Sequence, residues 1–385
     1  MFKRIFLIVL DGLGIGELED SENFNSKGAN TLKHAIGEKY NLNILETLGL
    51  TSLIGKKDIN TRGIYMRCKV KNPMNDSLNG HYEIMGAIAK HPYETYKEGL
   101  PLELVSKIQH EIGLEVIGNE NRDGMEIIEE LGQMHMKTGC PIIYTSDDSV
   151  LQVAAHEDII STDKLYEICE KIFNIVSTPE YNIARVIARP FTGKNGSYAR
   201  TNKRKDFTCD PPINLLDILD KHQINTICIG KISDLFNNKS ISVSIKTNDN
   251  IDSMMKLIDF SKGNIEGLIF ANFNDFDTLY GHRRDTEGYK KALEEFNYYL
   301  PILLKNLKKE DLVIITSDHG CDPSLKGHNH TREFVPILMF SRLFKKGKRL
   351  NHRETLADIS ATILDNYGIK NTLGTGTSIF NEFRK

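Results

Sequence analysis

The sequence predicts an α/β protein built on a mostly parallel sheet, with a second α/β unit inserted into the first. Three observations predict it. Seven short runs are apolar without alternation: Ile5–Leu10, "PIIYTS" (141–146), "ARVIARPF" (184–191), "NTICIG" (225–230), "GLIFANF" (267–273), "DLVIITS" (311–317) and "VPILMF" (335–340). Continuous runs of this length suit parallel strands covered on both faces. Between them lie stretches of helical period, among them "LELVSKIQHEIG", "LYEICEKIFNIV", "NLLDILDKH", "DSMMKLIDFSKG", "GYKKALEEFNYYLPILLKNLKK" and "ETLADISATILDNYG". Strand and helix in alternation give α/β architecture.

The third observation is length. A chain of 385 residues, 40% hydrophobic, exceeds the roughly 250–300 residues at which single cores stop growing. Two segments rich in Pro, Gly and charge, 92–101 ("PYETYKEGLP") and 205–213 ("KDFTCDPPI"), read as connectors. We expect a core of residues 1–92 and 213–385 and an inserted unit of residues 93–212.

Composition excludes several function classes. The net charge is −3, which creates no field suited to nucleic acid or an anionic membrane. No stretch approaches the ~18 apolar residues of a membrane span. The run Ile5–Leu10 is too short for a signal peptide and ends in Asp11 with no cleavage site. The six cysteines show no CxxC pair, the pattern of reduced thiols in a cytoplasmic protein. The expected partner is a small molecule, with no nucleic acid or membrane, and a monomer or weak homo-oligomer.

Chemistry-bearing residues gather after three of the apolar runs. Ile5–Leu10 runs into Asp11; "GLIFANF" runs into "NDFDTLYGHRRD", with Asp277 and His282; "DLVIITS" runs into Asp318 and His319, with His330 farther on. In open parallel sheets the carboxyl ends of strands line the ligand crevice. Singly, each has a plainer reading: Asp11 as a turn residue, Asp277 as a helix cap, His330 as a loop residue. Together they need a coincidence at three strand ends, and we read them as a divalent metal site. Carboxylates with imidazoles and no obvious thiolate suit Mn²⁺, Zn²⁺ or Mg²⁺, and Cys321 is a soft donor that the set does not need. Six or seven donors exceed the four of one tetrahedral zinc and fit two metals about 4 Å apart, as in phosphoryl transfer. The stretch "NDSLNGHYEIMG" (75–86) has the composition of a turn-forming loop. Beside such a metal pair, its Ser77 becomes a candidate nucleophile.

The motifs "VLDGLGIGE", "DSLNGHYEIMG", "YTSDDSVLQVAAHE", "RVIARPF", "IGKISD", "DFDTLYGHRRD", "SDHGCDP" and "HTRE", in that order, resemble the phosphopentomutases of the alkaline phosphatase superfamily. The resemblance runs the length of the chain. It implies an alkaline phosphatase-like core with an inserted cap, and a phosphomutase that interconverts ribose or deoxyribose 1-phosphate and 5-phosphate on two Mn²⁺. The wider superfamily holds the alternatives: a mutase for another phosphosugar, or a phosphatase or phosphodiesterase. By this resemblance Asp11, Asp318 and His319 hold one metal, and Asp277, His282 and His330 the other. Ser77 carries the phosphoryl group, and a sugar 1,6-bisphosphate is the activator. Arg185, Arg200 and Lys231 are the implied phosphate-binding cations, with Ser146, Val150 and Ile187 lining the sugar pocket. The chain departs from the family pattern at Asn75, Ser77, Asn79, Tyr82, Asp147 and Cys321, where the pattern has Lys, Thr, Thr, Trp, Ala and Asn.

Overall fold

In the computed structural model, residues 1–56, 60–88, 93–145, 150–382 are described. They form two compact units, residues 1–90 with 211–385, and residues 91–210.

The first unit is an eight-stranded sheet. Its order is β10 (Val243–Ile245), β9 (Thr226–Ile229), β11 (Gly267–Phe273), β1 (Arg4–Leu10), β12 (Asp311–Thr316), β13 (Val335–Phe340), β2 (Ile64–Cys68) and β14 (Lys348–Arg349). Every strand is parallel to β1 except β13, which runs antiparallel to both neighbours. The continuous apolar runs follow from burial on both faces. Ile5, Leu7 and Val9 pack under the helices Ser77–Ile84, Leu215–Lys221 and Ala357–Asn366. Phe6, Ile8 and Leu10 pack under Thr31–Ile36, Asn250–Lys262 and Thr286–Asn306. One strand thus feeds two cores, and neither face can tolerate polar alternation.

The inserted unit carries a mixed sheet: β3 (Ile117–Asn121), β4 (Ile142–Thr145), β5 (Val150–His156), β6 (Arg185–Thr192), β7 (Ala199–Arg200), with β8 (Lys205–Thr208) also on β6. β3–β4 and β5–β6 are parallel and the other pairings antiparallel. Helices Leu102–Ile112 and Thr162–Val176 cover one face, and Gly124–Thr138 covers the other. Residues 205–208, read from composition as part of a connector, are strand β8, because their backbone pairs antiparallel with residues 185–188 of β6.

A buried ion pair anchors the amino end of β1. Arg4 is 2% and Asp311 1% exposed. Arg4 Nε donates to Asp311 Oδ1 at 2.8 Å, and its other nitrogens reach the carbonyls of Phe260, Ser261 and Gly263. The fork is fully used, so deleting it strands a buried carboxylate. Arg4→Met is expected to cost about 3–5 kcal/mol of unfolding free energy, read by urea denaturation. A loss below about 1 kcal/mol, the scale of a surface pair, would contradict this account.

Candidate active site

The site lies at the carboxyl ends of β1, β11 and β12, where the sequence placed its acids and histidines. Asp11 follows β1 directly. Asp277 lies in a π-helical turn, Phe276–Gly281, just after β11, with His282 closing it. Such insertions into helical geometry recur at functional sites. Asp318 and His319 follow β12, and His330 precedes β13.

These side chains converge. Asp11, Asp318 and His319 bring ligand atoms within 4.8 Å of one another, and so do Asp277, His319 and His330, and Asp277, His282 and Cys321. Asp11, Asp318 and His319 are fully buried or nearly so, and Asp277 is 3% exposed. Asp318 Oδ2 and Asp277 Oδ1 have no hydrogen-bond partner; imidazole nitrogens stand 3.1–3.4 Å from them. Buried carboxylate oxygens in this state demand a cation.

The histidines are oriented for the same task. His319 Nδ1 lies 3.0 Å from the Gly320 carbonyl, His330 Nδ1 lies 2.7 Å from that of Asn75, and His282 Nδ1 contacts that of His328. Each contact assigns the Nδ1–H tautomer and turns Nε2 inward, the usual arrangement behind a metal-ligating imidazole. His282 and His330 consequently face one another Nε2 to Nε2 at 3.0 Å. Two lone pairs at that distance need a proton or a cation between them. Burial alone would lower the His319 pKa; Asp318, Asp11 and Asp277 overcome it and push the imidazole up to about 10. Burial opposes ionisation of Asp277, yet His282 and His330 hold its carboxyl below the usual range. In the absence of a metal, imidazolium supplies the charge that the carboxylates require. A metal must displace those protons, so its affinity rises with pH. The donor set fits two divalent cations.

Ser77 is not in a loop. Asp76 is an N-cap whose Oδ1 accepts from the Asn79 amide at 2.8 Å, and Ser77 opens the helix Ser77–Ile84. The Asp76 that composition assigns to a turn instead caps a helix, using the same short side chain on the same kind of amide, and Asn79 Nδ2 also donates to it. Ser77 Oγ lies 3.2 Å from Asp11 Oδ1, 3.0 Å from His319 Nε2 and 3.0 Å from Lys231 Nζ. Lys231 also pairs with Asp11 Oδ2 at 2.5 Å. Burial lowers the Lys231 pKa, and Asp11, Asp318 and Asp277 more than reverse that, so it stays charged. A helix amino end, a half-buried ammonium and a serine hydroxyl therefore meet at one point, a favourable place for a phosphoryl group.

Sequence reasoning missed a supporting layer. Gly80 lets this helix approach the strand end: a Cβ there would lie 2.4 Å from the Asp318 carbonyl oxygen. One turn after Ser77, His81 reaches the Ser77 carbonyl at 2.8 Å, Asp318 Oδ2 at 3.1 Å and Asn272 Oδ1 at 3.2 Å. Asn272 Nδ2 in turn donates to Asp11 Oδ2 at 2.9 Å. The only signal for His81 was its i+4 spacing from Ser77. Asn272 gave none.

The remaining predicted residues belong to the inserted unit. Arg185 and Ile187 share one face of β6, and Val150 is the register partner of Arg185 on β5. Arg185 approaches Asp206 at 3.4 Å, and Arg200 donates to the Tyr144 hydroxyl at 3.0 Å. Arg204 is held bidentately by Asp206, whereas Arg189 donates to Gln152. Ser146, and with it Asp147, lies outside the described residues.

Comparison with known proteins bears on the family and the fold. A family model described as the metalloenzyme superfamily matches residues 3–371. A phosphopentomutase of Caldanaerobacter subterraneus subsp. tengcongensis is 43% identical over 389 residues, spanning 99% of this chain and 98% of that protein. A Leishmania mexicana phosphoglycerate mutase structure, determined at low cobalt concentration, covers 98% of both chains with a TM-score of 0.51 at 12% identity. The PH0037 protein of Pyrococcus horikoshii superposes with a TM-score of 0.50 at 15% identity, over 97% of this chain and 100% of that one. These two structures speak to the fold alone, which is that of the alkaline phosphatase superfamily. Among the described residues no helix is long and apolar enough to cross a membrane.

Proposed function

The chain belongs to the metalloenzyme superfamily and, within it, to the phosphopentomutases, metal-dependent phosphomutases; from that premise we propose that it interconverts the 1- and 5-phosphates of ribose or deoxyribose through a phosphoserine at Ser77. The observation that carries this reading is the convergence of Asp11, His319 and Lys231 on Ser77 Oγ at 3.0–3.2 Å. Asp11, Asp318 and His319 would hold one divalent cation and Asp277, His282 and His330 the other. Two Mn²⁺, with Mg²⁺ or Zn²⁺ as substitutes, would supply Lewis-acid charge to phosphoryl oxygens and favour the serine alkoxide.

The chain's own groups then have definite work. Phosphorylated Ser77 gives its phosphoryl group to the free hydroxyl of the sugar monophosphate: the Oγ–P bond breaks, the new sugar O–P bond forms, and the hydroxyl proton passes to Ser77. The product is a sugar bisphosphate. After it turns over, Ser77 Oγ attacks the other phosphorus, and the released sugar oxygen takes the proton back. Lys231, held by Asp11, stabilises charge on the transferring group as a preorganised donor. His81 and Asn272 position Asp318 and Asp11. Arg185 and Arg200 are assigned to the distal phosphate, whose planar recognition suits guanidinium, and Val150 and Ile187 to the sugar. A sugar 1,6-bisphosphate would prime Ser77.

With Mn²⁺ and a catalytic amount of glucose 1,6-bisphosphate, the protein is expected to convert ribose 1-phosphate to ribose 5-phosphate without releasing phosphate. A panel of pentose, deoxypentose and hexose phosphates identifies the preferred sugar. Release of inorganic phosphate in place of the isomer would overturn the mutase reading in favour of a hydrolase.

A further inference from the structure

The first unit has a second basic concavity, none of whose lining residues belongs to the metal site. It is a cavity of about 510 Å³ between the helix Thr31–Ile36 and strands β2 and β14, a size in the range of small-molecule sites. Lys33, Arg67 and Arg349 line it together with Glu17, and Leu53 and Ile54 form an apolar wall.

Arg67 is the unusual member. Its guanidinium lies 4.0 Å above the Phe334 ring, which fixes its plane. Its Nε is buried without a hydrogen-bond partner, and its Nη2 has only a long contact, 3.5 Å, to the Ile15 carbonyl. Gly16, at φ +120°, leaves room for that nitrogen, since a Cβ would stand 3.1 Å from it. Among the described residues no carboxylate pairs with Lys33, Arg67 or Arg349 within ion-pair distance. The acid on the rim is already engaged: Glu17 Oε2 accepts from the Gly28 amide and the Ser21 hydroxyl. Burial and the neighbouring Arg349 lower the Arg67 pKa, against Glu19 and Glu333, which act on it from beyond ion-pair distance. Two arginines that repel one another across a cavity, one with an orphaned buried donor, are arranged for an anion at contact distance, which no carboxylate among the described residues supplies.

We propose that this cavity binds a phosphate dianion, with the forks of Arg67 and Arg349 and the Lys33 ammonium around its oxygens. The same chemistry comes from free phosphate or from a phosphate monoester, and the room beside Leu53 and Ile54 leaves space for an organic group. The floor of the cavity touches the segment between β12 and β13 that carries Asp318, His319 and His330, because Asn30 and His34, which line it, both bond Asp322 Oδ2, at 2.8 and 2.6 Å.

The test is calorimetric titration of the metal-loaded protein with inorganic phosphate and, separately, with adenosine 5′-monophosphate. R349Q and R67Q should each weaken one binding event about tenfold, the worth of one charge-assisted contact, while S77A and R185Q retain it. R349Q is exposed, so its result stands even if R67Q fails to fold, and its mutase turnover should equal that of the wild type. Tighter binding of the nucleotide than of phosphate identifies a monoester as the occupant, and binding of phosphate alone identifies the free ion. Unchanged binding of both probes in R349Q and R67Q, or binding lost only in S77A or R185Q, overturns the proposal. Because the readout does not need turnover, it stands or falls apart from the mutase reading.

Discussion

Ser77→Ala lowers mutase turnover by at least about 10⁴-fold, the scale on which removal of a catalytic nucleophile is felt. Only Oγ is lost, and the helix Ser77–Ile84 keeps its cap, since Asp76 rather than Ser77 bonds the Asn79 amide. Metal content should therefore persist while activity disappears. The distinction matters because Ser77 Oγ touches two groups assigned to one metal, Asp11 and His319. A fall in metal content parallel to the fall in rate would make Ser77 a structural partner of those ligands. Equal turnover in Ser77→Ala would remove it from the mechanism.

Lys231→Met has the next largest expected effect, a loss of about 10²–10³ in kcat, as for a preorganised donor at a developing oxyanion. Lys231 is 23% exposed in its side chain, pairs with buried Asp11 and contacts Ser77 Oγ at 3.0 Å. Met retains most of the stem's packing and deletes the charge. The sugar phosphates should bind with modestly changed KM, because the ammonium acts on the phosphoryl group at Ser77. A change confined to KM would reassign Lys231 to ground-state binding of the distal phosphate, the role given to it from resemblance. Lys231→Arg is a poor rescue, since a planar fork cannot occupy the compact position between Asp11 Oδ2 and Ser77 Oγ.

The sequence and the structure meet most closely where one physical rule governs both. A strand buried on two faces must be apolar throughout, so β1, β11 and β12 were legible as runs, and the acids after them were legible as crevice residues. Strand direction was not: "VPILMF" has the composition of its parallel neighbours, yet β13 is reversed, because burial on both faces constrains composition and leaves direction to the connections. The helix Gly124–Thr138 escaped notice because its Glu, Gln, His and Lys are interleaved with as many Met, Ile and Leu, and only Ile127, Ile128, Gly132 and His135, with the first-turn Gly124, are buried. At the site, the residues assigned to the metals and to the phosphoryl group were picked out by type, since those types announce the chemistry. Gly80, His81 and Asn272 were not. Their contributions consist of contacts across strands distant in sequence, which no local pattern encodes. The helix at Ser77 was misread because Asp and Asn serve turns and N-caps by the same hydrogen bond. The cavity at Arg67 had no signal either: its cations come from residues 33, 67 and 349 and meet only in the fold.

The central claim is that Ser77 carries the phosphoryl group. Its most direct test is peptide mass spectrometry of the metal-loaded protein after incubation with a sugar 1,6-bisphosphate. The account predicts one phosphoryl group per chain, on the peptide containing Ser77, that is lost on addition of excess sugar monophosphate and absent in Ser77→Ala. A phosphoryl group on any other residue, or mutase turnover with no labelled Ser77, contradicts it.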